Sequence, residues 1–407
     1  MKKSWKAKTL GHACQFSNGL WKGEKPPFVK VGVIRNTNFT KEGTLDDSDI
    51  AYLDVEAKKL EKRRLQFGDI ILEKSGGGPK QPVGRVALFD KEVGDFSFSN
   101  FTAALRILDP DELDFRYLHK YLHWTYLSGV TEGMQSHSTG IRNLDGDAYK
   151  AIQVTYPLLP EQQRIVALLD EAFEGLATAK ANAEKNLQNA RALFESHLQS
   201  VFTQRGPKWV EKRLVDVADF KNGLNFTRQS NGQTLRMVGV GDFHEHSVVP
   251  IETLQSVTID GKLSDDYLIR RDDILTVRSN GSKDLVGRCM LVPDVDGMTS
   301  FSGFIIRIRF DTRVLSPRFL LHFMKSSATR ERLTREGGGA NISNINQAKL
   351  SGLPVSLPSF KQQEEIANRL DDLREETRRL ARVYERKLAA LEALKKSLLH
   401  QAFTGEL

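Results

Sequence analysis

Residues 5 to 20 read WKAKTLGHACQFSNGL, and residues 209 to 224 read WVEKRLVDVADFKNGL. At an offset of 204 they share Trp5/Trp209, Lys8/Lys212, Leu10/Leu214, Phe16/Phe220, Asn18/Asn222, Gly19/Gly223 and Leu20/Leu224. A repeat constrains a chain more than any local pattern, because whatever one half folds into, the other must fold into as well. The similarity continues. FGDIILEKSGGG (67 to 78) matches RDDILTVRSNGS (271 to 282), and VGR recurs at 83 to 85 and 286 to 288. FSNF (98 to 101) matches FSGF (301 to 304), FRYLHKYL (115 to 122) matches PRFLLHFM (317 to 324), and IRNL (141 to 144) matches ISNI (342 to 345). The offset slips to 201 by single residues lost in Gly-rich or polar stretches, where loops tolerate change.

Each half carries short apolar and β-branched runs: GDIIL or DDILTV, then VALF or CMLV, then TAALRIL or FIIRIRF. These predict strands. A helical pattern follows at Phe115 to Leu127 and at Pro317 to Leu333, and AIQVTYP or GLPVSLP predicts a closing strand. Each half is therefore a mixed α/β globule, and 407 residues suffice for both.

A different kind of segment follows each globule. PLLPEQQRIVALLDEAF starts at Pro157 and PSFKQQEEIANRLDDL at Pro358; Pro160 suits a first helical turn, and Ser359 with Gln362 resembles a capping box. In the first segment Ile165, Leu169, Ala172, Leu176, Ala179, Ala183, Leu187, Ala190, Phe194 and Val201 recur at steps of three and four, with a gap at His197. In the second, Ile366, Leu370, Leu373, Thr377, Leu380, Tyr384, Leu388, Leu391, Leu394, Leu398 and Ala402 do the same. Both patterns predict a coiled-coil seam, each helix running on the order of 60 Å at about 1.5 Å per residue. A pseudo-two-fold relation between the halves makes the helices antiparallel and places the globules at opposite ends of a rod. Packing of each helix on its own globule is the alternative, which such long stripes with charged outer faces disfavour.

Two globules, each followed by a long helix opening with P-x-x-P-E-Q-Q-R-I (Pro157 to Ile165) or P-x-x-x-Q-Q-E-E-I (Pro358 to Ile366), resemble the specificity subunit of type I restriction and modification enzymes. The resemblance covers essentially the whole chain, including G-D-I-I-L at 68 to 72, the W-x-x-x-x-L openings and the closing FTGEL at 403 to 407. Departures are Asp272 in place of glycine, Gln362 in place of glutamate, and His12 where Asp216 supplies an acid in the other half. The resemblance implies an α+β chain: two pseudo-two-fold-related mixed α/β target-recognition domains, at 1–156 and 207–357, separated by two long antiparallel coiled-coil helices, at 157–206 and 358–407. It implies as partners double-stranded DNA, read as two half-sites, two methylation subunits and restriction subunits. S-adenosylmethionine, ATP and Mg²⁺ belong to those partners, and no cofactor or metal is expected in this chain.

The charge of +7 and the pI near 9.2 give weak support for a phosphate-rich partner. Two segments of each globule are candidates for contact. A strand delivers a basic residue into a small turn at Lys74, Ser75, Gly77 and Lys80 in the first half, and at Arg278, Ser279, Asn280 and Lys283 in the second. Glycine lets backbone approach phosphate, and Lys or Arg neutralises it or, for Arg, grips guanine in a bidentate manner. A surface hairpin turn is the plainer reading of one such loop; its recurrence in both halves brings DNA contact level with that reading. The second segment is polar: His137, Ser138, Thr139 and Arg142 in the first half, Asn341, Ser343 and Asn344 in the second, with a loop capped by the following helix as the equal alternative. Arg85 and Arg288, identical in domains that should read different sequences, suit phosphate or the fold better than a base.

A nuclease and a purely structural coiled-coil adaptor are the competing readings. Glu56-Ala57-Lys58 aligns with Asp260-Gly261-Lys262, with Asp46, Asp47 and Glu252 upstream, and carboxylates with a lysine could hold Mg²⁺. AYLDVEAKKLEKRR reads instead as an exposed charged helix. Asp242-Phe243-His244-Glu245-His246 has Thr40 and Glu42 opposite its histidines and reads as an exposed strand or loop. No P-loop and no N-P-P-[YF] run occurs. Cys14 and Cys289, opposite Ala218 and Val86, read as small core residues with no disulfide or zinc site. No apolar run could span a bilayer and no secretory signal is evident, so a cytoplasmic protein without membrane partners is expected.

Overall fold

The computed structural model describes residues 5–20, 23–78, 81–138, 141–204, 206, 208–227, 229–244, 246–282, 284–334 and 344–407. The chain divides into two units: 1–183 with 386–407, and 184–385. Each long helix therefore begins in one unit and ends in the other.

The first unit is built on a four-stranded antiparallel sheet in the order Cys14–Asn18, Thr102–Ile107, Ile70–Glu73, Val86–Leu88. A second sheet places Phe28–Ile34 between antiparallel Ala51–Glu56 and parallel Phe96–Phe98. Lys6–Thr9 pairs with the closing strand Gln153–Tyr156. The second unit repeats all three arrangements. Its four-stranded order is Ala218–Asn222, Ile305–Phe310, Ile274–Val277, Cys289–Leu291. Thr234–Val238 lies between Ser256–Thr258 and Thr299–Phe301, and Val210–Arg213 pairs with Pro354–Leu357.

The residues written twice hold this architecture. Leu10 and Leu214 are fully buried, while Trp5 and Trp209 pack partly buried on their units' cores. Gly19 and Gly223 sit where the backbone of another segment passes: a Cβ there would lie 1.9 Å from the Ser99 carbonyl oxygen and 2.1 Å from that of Ser302. Only glycine fits either position. The aspartates of GDI and DDI are buried ion-pair partners. Asp69 accepts two hydrogen bonds from Arg106, at 2.7 Å each, and Asp273 accepts two from Arg309, at 2.7 and 2.6 Å. Each carboxylate also caps its own turn, from the backbone of Gln66 or Arg270. A buried charge held by both a bidentate arginine and a backbone N–H is compensated.

The long helices occupy Leu159–Thr203 and Phe360–Thr404. The repeated glutamine of their opening motif is a buried anchor. Gln162 donates to the carbonyls of Glu112 and Pro157 and accepts from the Asp114 amide; Gln363 does the same with Val314, Pro358 and Ser316. Each helix start is thereby tied to the cap of the helix beside it, Phe115–Leu127 or Pro317–Lys325. Within the first unit Lys180 pairs with Glu392 at 2.9 Å and Arg164 reaches the Leu407 carbonyl, so residue numbers fall along one helix as they rise along the other. Within the second unit Arg191 pairs with Glu385 at 2.8 Å. The helices are antiparallel in each unit. They also close the cores: Ile165, Leu169, Leu399 and Phe403 join the first, Phe202, Ile366 and Ala367 the second.

Ile165, Leu169 and Leu370 are buried, and Leu176, Leu187, Phe194, Ile366, Leu388 and Leu398 are half-buried. Leu380 is a correction. It is 41% exposed, and half-buried Ala381 takes the inward position, because four residues rather than three separate Thr377 from the next inward side chain. Leu394 likewise faces outward, with Lys395 lying over the Phe173 ring. The expected gap at His197 is absent, since Leu198, 1% exposed, fills it.

Two other expectations change. The helix read over 317–333 breaks at Ser326, whose extended backbone (ψ 141°) ends Pro317–Lys325 and whose hydroxyl, bonded to the Phe323 carbonyl and Thr329 Oγ1, starts Ser327–Thr334. The charged helix read from AYLDVEAKKLEKRR is a strand, Ala51–Glu56, followed by a short helix, Ala57–Glu61. Pairing of six consecutive residues with Phe28–Ile34, and burial of Val55, override its helical composition. Cys14 and Cys289 are buried free thiols, and burial pushes the Cys14 thiol up to about 12. Among the described residues no helix is long and apolar enough to cross a membrane.

Candidate nucleic-acid interface

The two candidate segments of the first half form one structure. Ile70–Glu73 leaves the core sheet and delivers Lys74, whose amide and that of Ser75 donate to the Phe101 carbonyl at 3.0 and 3.1 Å. Ser75–Gly76 then pairs with Ile141–Leu144, which pairs with Gln135–Ser138, giving a three-stranded sheet. Ser75 lies opposite Asn143 and donates to its Oδ1 at 2.6 Å, Gly76 lies opposite Arg142, and the Leu144 amide donates to the Lys74 carbonyl. Gly77 (φ +62°) carries the chain around the tip, where a Cβ would lie 2.7 Å from the Gln81 carbonyl oxygen. His137 and Ser138 lie in the Gln135–Ser138 strand, with side chains outside the described residues; Thr139 and Lys80 lie outside them altogether.

The second half joins the same segments. The Arg278 amide donates to Phe304 at 2.9 Å, the Ile345 amide donates to the Arg278 carbonyl at 2.7 Å, and Ser279 bridges to Asn344. Asn280 Oδ1 accepts from the Ser282 amide at 2.8 Å, shaping the turn. Lys283, Asn341 and Ser343 lie outside the described residues.

At the base of the first tip the basic residue meets an asparagine of the opening repeat. Lys74 Nζ donates to Asn18 Oδ1 at 2.9 Å, and burial draws the lysine pKa below its usual value. In the second half Arg278 Nε and Asn222 Oδ1 are both buried with no hydrogen-bond partner among the described residues. An arginine donor left unsatisfied is costly unless a ligand supplies the acceptor. Sequence reasoning identified Asn18 as a repeat identity and missed it as a site residue; its place beside Lys74 depends on pairing of the opening strand with Thr102–Ile107. Arg142, the other described cation of the first tip, is half-buried and donates to Gln135 Oε1 at 3.3 Å.

The arginines of VGR belong to the fold. Arg85 forms a bidentate pair with buried Glu73 at 2.8 and 2.9 Å and donates to the carbonyls of Asn36 and Phe39. Arg288 donates to the carbonyls of Asp284, Phe243 and His244. Four carboxylates of the nuclease reading have local tasks: Glu56 accepts from the Lys25 amide, Asp260 from Ser230 Oγ and the Asn231 amide, Asp46 from the Ser48 amide, and Asp47 pairs with Lys91. Among the described residues no cluster of three or more His, Cys, Asp or Glu is arranged to hold a metal ion. In the segment carrying His244 and His246, Phe243 is buried in the core and Asp242 accepts from the Gly239 amide.

The family model of the type I restriction modification DNA specificity domain matches residues 2–187 and again 207–385. The StySPI specificity subunit of Salmonella potsdam, a type I restriction enzyme component, is 27% identical over 398 residues, which cover 94% of this chain and 82% of that protein. Among solved structures, a chain of a type I R-M system superposes with a TM-score of 0.77 at 18% identity, covering 100% of this chain and 99% of its own. The HsdS subunit of Thermoanaerobacter tengcongensis superposes with a TM-score of 0.65, also at 18% identity, covering 100% and 98%. With the family match spanning both halves of the repeat, the chain belongs to the type I restriction modification DNA specificity family and carries the specificity domain twice.

Proposed function

We propose that each unit reads one half of a split DNA sequence through the tip that begins at Lys74 or Arg278, and that the long helices dock two methylation subunits and, through them, restriction subunits. The observation that carries this reading is that two segments distant in sequence, each with basic or polar side chains suited to DNA, are hydrogen-bonded into one tip in both units. The tips share their backbone scaffold and differ in side chains: Lys74 and Gly76 in one stand against Arg278 and Asn280 in the other. A shared scaffold with different donors suits two readers of different half-sites. The chain acts as a non-catalytic recognition subunit, working in the cytoplasm. Methylation and ATP-dependent cleavage, with S-adenosylmethionine, ATP and Mg²⁺, belong to its partners.

Mapping methylated positions in a genome exposed to the chain assembled with its methylation subunits tests this. The expected result is a single sequence of two dissimilar parts separated by unread positions. Methylation at a continuous sequence, or at none in particular, contradicts the reading.

A further inference from the structure

The second unit contains a half-open cavity of about 450 Å³ between the end of the first long helix, the start of the second, and the Pro317–Lys325 helix. Its wall is cationic. Lys325 Nζ donates to Ser247 Oγ at 2.7 Å, Arg374 donates to the same hydroxyl, and Arg378 faces the cavity with no ion pair or hydrogen bond among the described residues. Two positive groups thus share one neutral acceptor. The nearby acids are largely engaged: Asp371 holds His322 and Arg318, and Glu375 pairs with Arg382. Glu195 lines the cavity from its exposed side. His322 also lines it, and its Nδ1 is buried without a partner among the described residues. Burial and the neighbouring Arg374 pull the Lys325 pKa down to about 8, the mark of a cation short of counter-charge.

The fold does not require these charges. At the repeat-equivalent positions, 202 residues earlier for Lys325 and 201 earlier for Arg374 and Arg378, the first unit carries His123, Phe173 and Ala177. It keeps the structural pair of the same region, with Lys120–Asp170 standing where His322–Asp371 stands in the second unit. The acid–base pair is thus common to both units and the three cations are particular to one.

We propose that this cavity binds an oxyanion, a phosphate or carboxylate group, held by Lys325, Arg374 and Arg378. Its source is either a free anion or an acidic side chain of a docked protein; the second source rests on the function proposed above and the first does not. Arg and Lys on facing helices grip a tetrahedral or planar oxyanion from several directions, and an anion there offsets the desolvation of Lys325 and Arg374.

Calorimetric titration of the full chain with inorganic phosphate at constant ionic strength is the first measurement. One saturable site, weakened at least tenfold in both Arg378→Gln and Lys325→Gln and unchanged in Arg313→Gln on an exposed turn, establishes a free-anion site. If phosphate does not bind, assembly of the chain with its methylation subunits is measured for the same variants. A tenfold weakening in Arg378→Gln and Lys325→Gln alone then assigns the oxyanion to the partner. Arg378 is exposed, so its variant keeps the fold. Phosphate binding that survives both substitutions, or absence of phosphate binding together with unchanged assembly, overturns the proposal.

Discussion

Asp272 is the one non-glycine residue with positive φ among the described residues, at +69°, and it stands where the first half has Gly68 at +89°. The sequence showed the departure but not its conformation. An aspartate tolerates the left-handed region better than most side chains, yet at a cost that glycine avoids. Asp272→Gly is expected to raise the stability of the second unit by roughly 0.5–1 kcal/mol, and Asp272→Ala to lower it by about as much, in chemical denaturation. In the first unit His119 and His123 are buried one turn apart, with ring centroids 6.3 Å apart. Burial pulls them to about 4 and about 3 from an ordinary 6.5, with Lys120 adding to the shift of His119, and His119 and Lys395 to that of His123. Because the unfolded chain takes up these protons first, stability is intact above pH 6.5 and falls as pH drops from there toward 4. His123→Leu should flatten this loss in thermal unfolding at about pH 7 and about pH 5; an undiminished slope would assign the acid sensitivity elsewhere.

At the scale of elements, period and punctuation carried most of the information. The helix expected over Phe115 to Leu127 has those bounds, and the strand cores lie in the apolar runs read for them. What stayed illegible depends on tertiary contact. Steps of three and four are equally good seams on paper, so Leu380 and Ala381 compete, and only the facing helix decides. Likewise, Ser326 breaks a continuous apolar pattern through its own hydroxyl, and Ser75–Gly76 is too short to announce its pairing with Arg142 and Asn143. The corrected seam predicts opposite outcomes for two leucines. Leu198→Ala should cost about 2–5 kcal/mol, as deletion of a buried leucine does, whereas Leu380→Ala should cost less than about 1 kcal/mol. Urea unfolding of the two variants checks this, and equal losses would restore Leu380 to the seam.

For the whole molecule, the repeat explains why one chain holds two readers. The duplicated residues are those the scaffold needs: buried leucines, glycines under a crossing backbone, ion-paired aspartates and the anchoring glutamines. The tips carry some of the differences, Lys74 against Arg278 and Gly76 against Asn280. Identity at scaffold positions is why architecture was legible, and the bases recognised are not, because a few donors on a common scaffold suffice to change them. The central claim is this division of labour, and one comparison tests it directly. Methylated sites are mapped for the assembled complex carrying Lys74→Ala with Ser75→Ala, and separately Arg278→Ala with Asn280→Ala. Each pair is expected to relax or weaken one half-site only, by roughly 1–3 kcal/mol for each hydrogen bond to a base edge that the substitution removes, and to leave the other half-site intact. Equal disturbance of both half-sites by either pair, or full retention of both, would contradict the account.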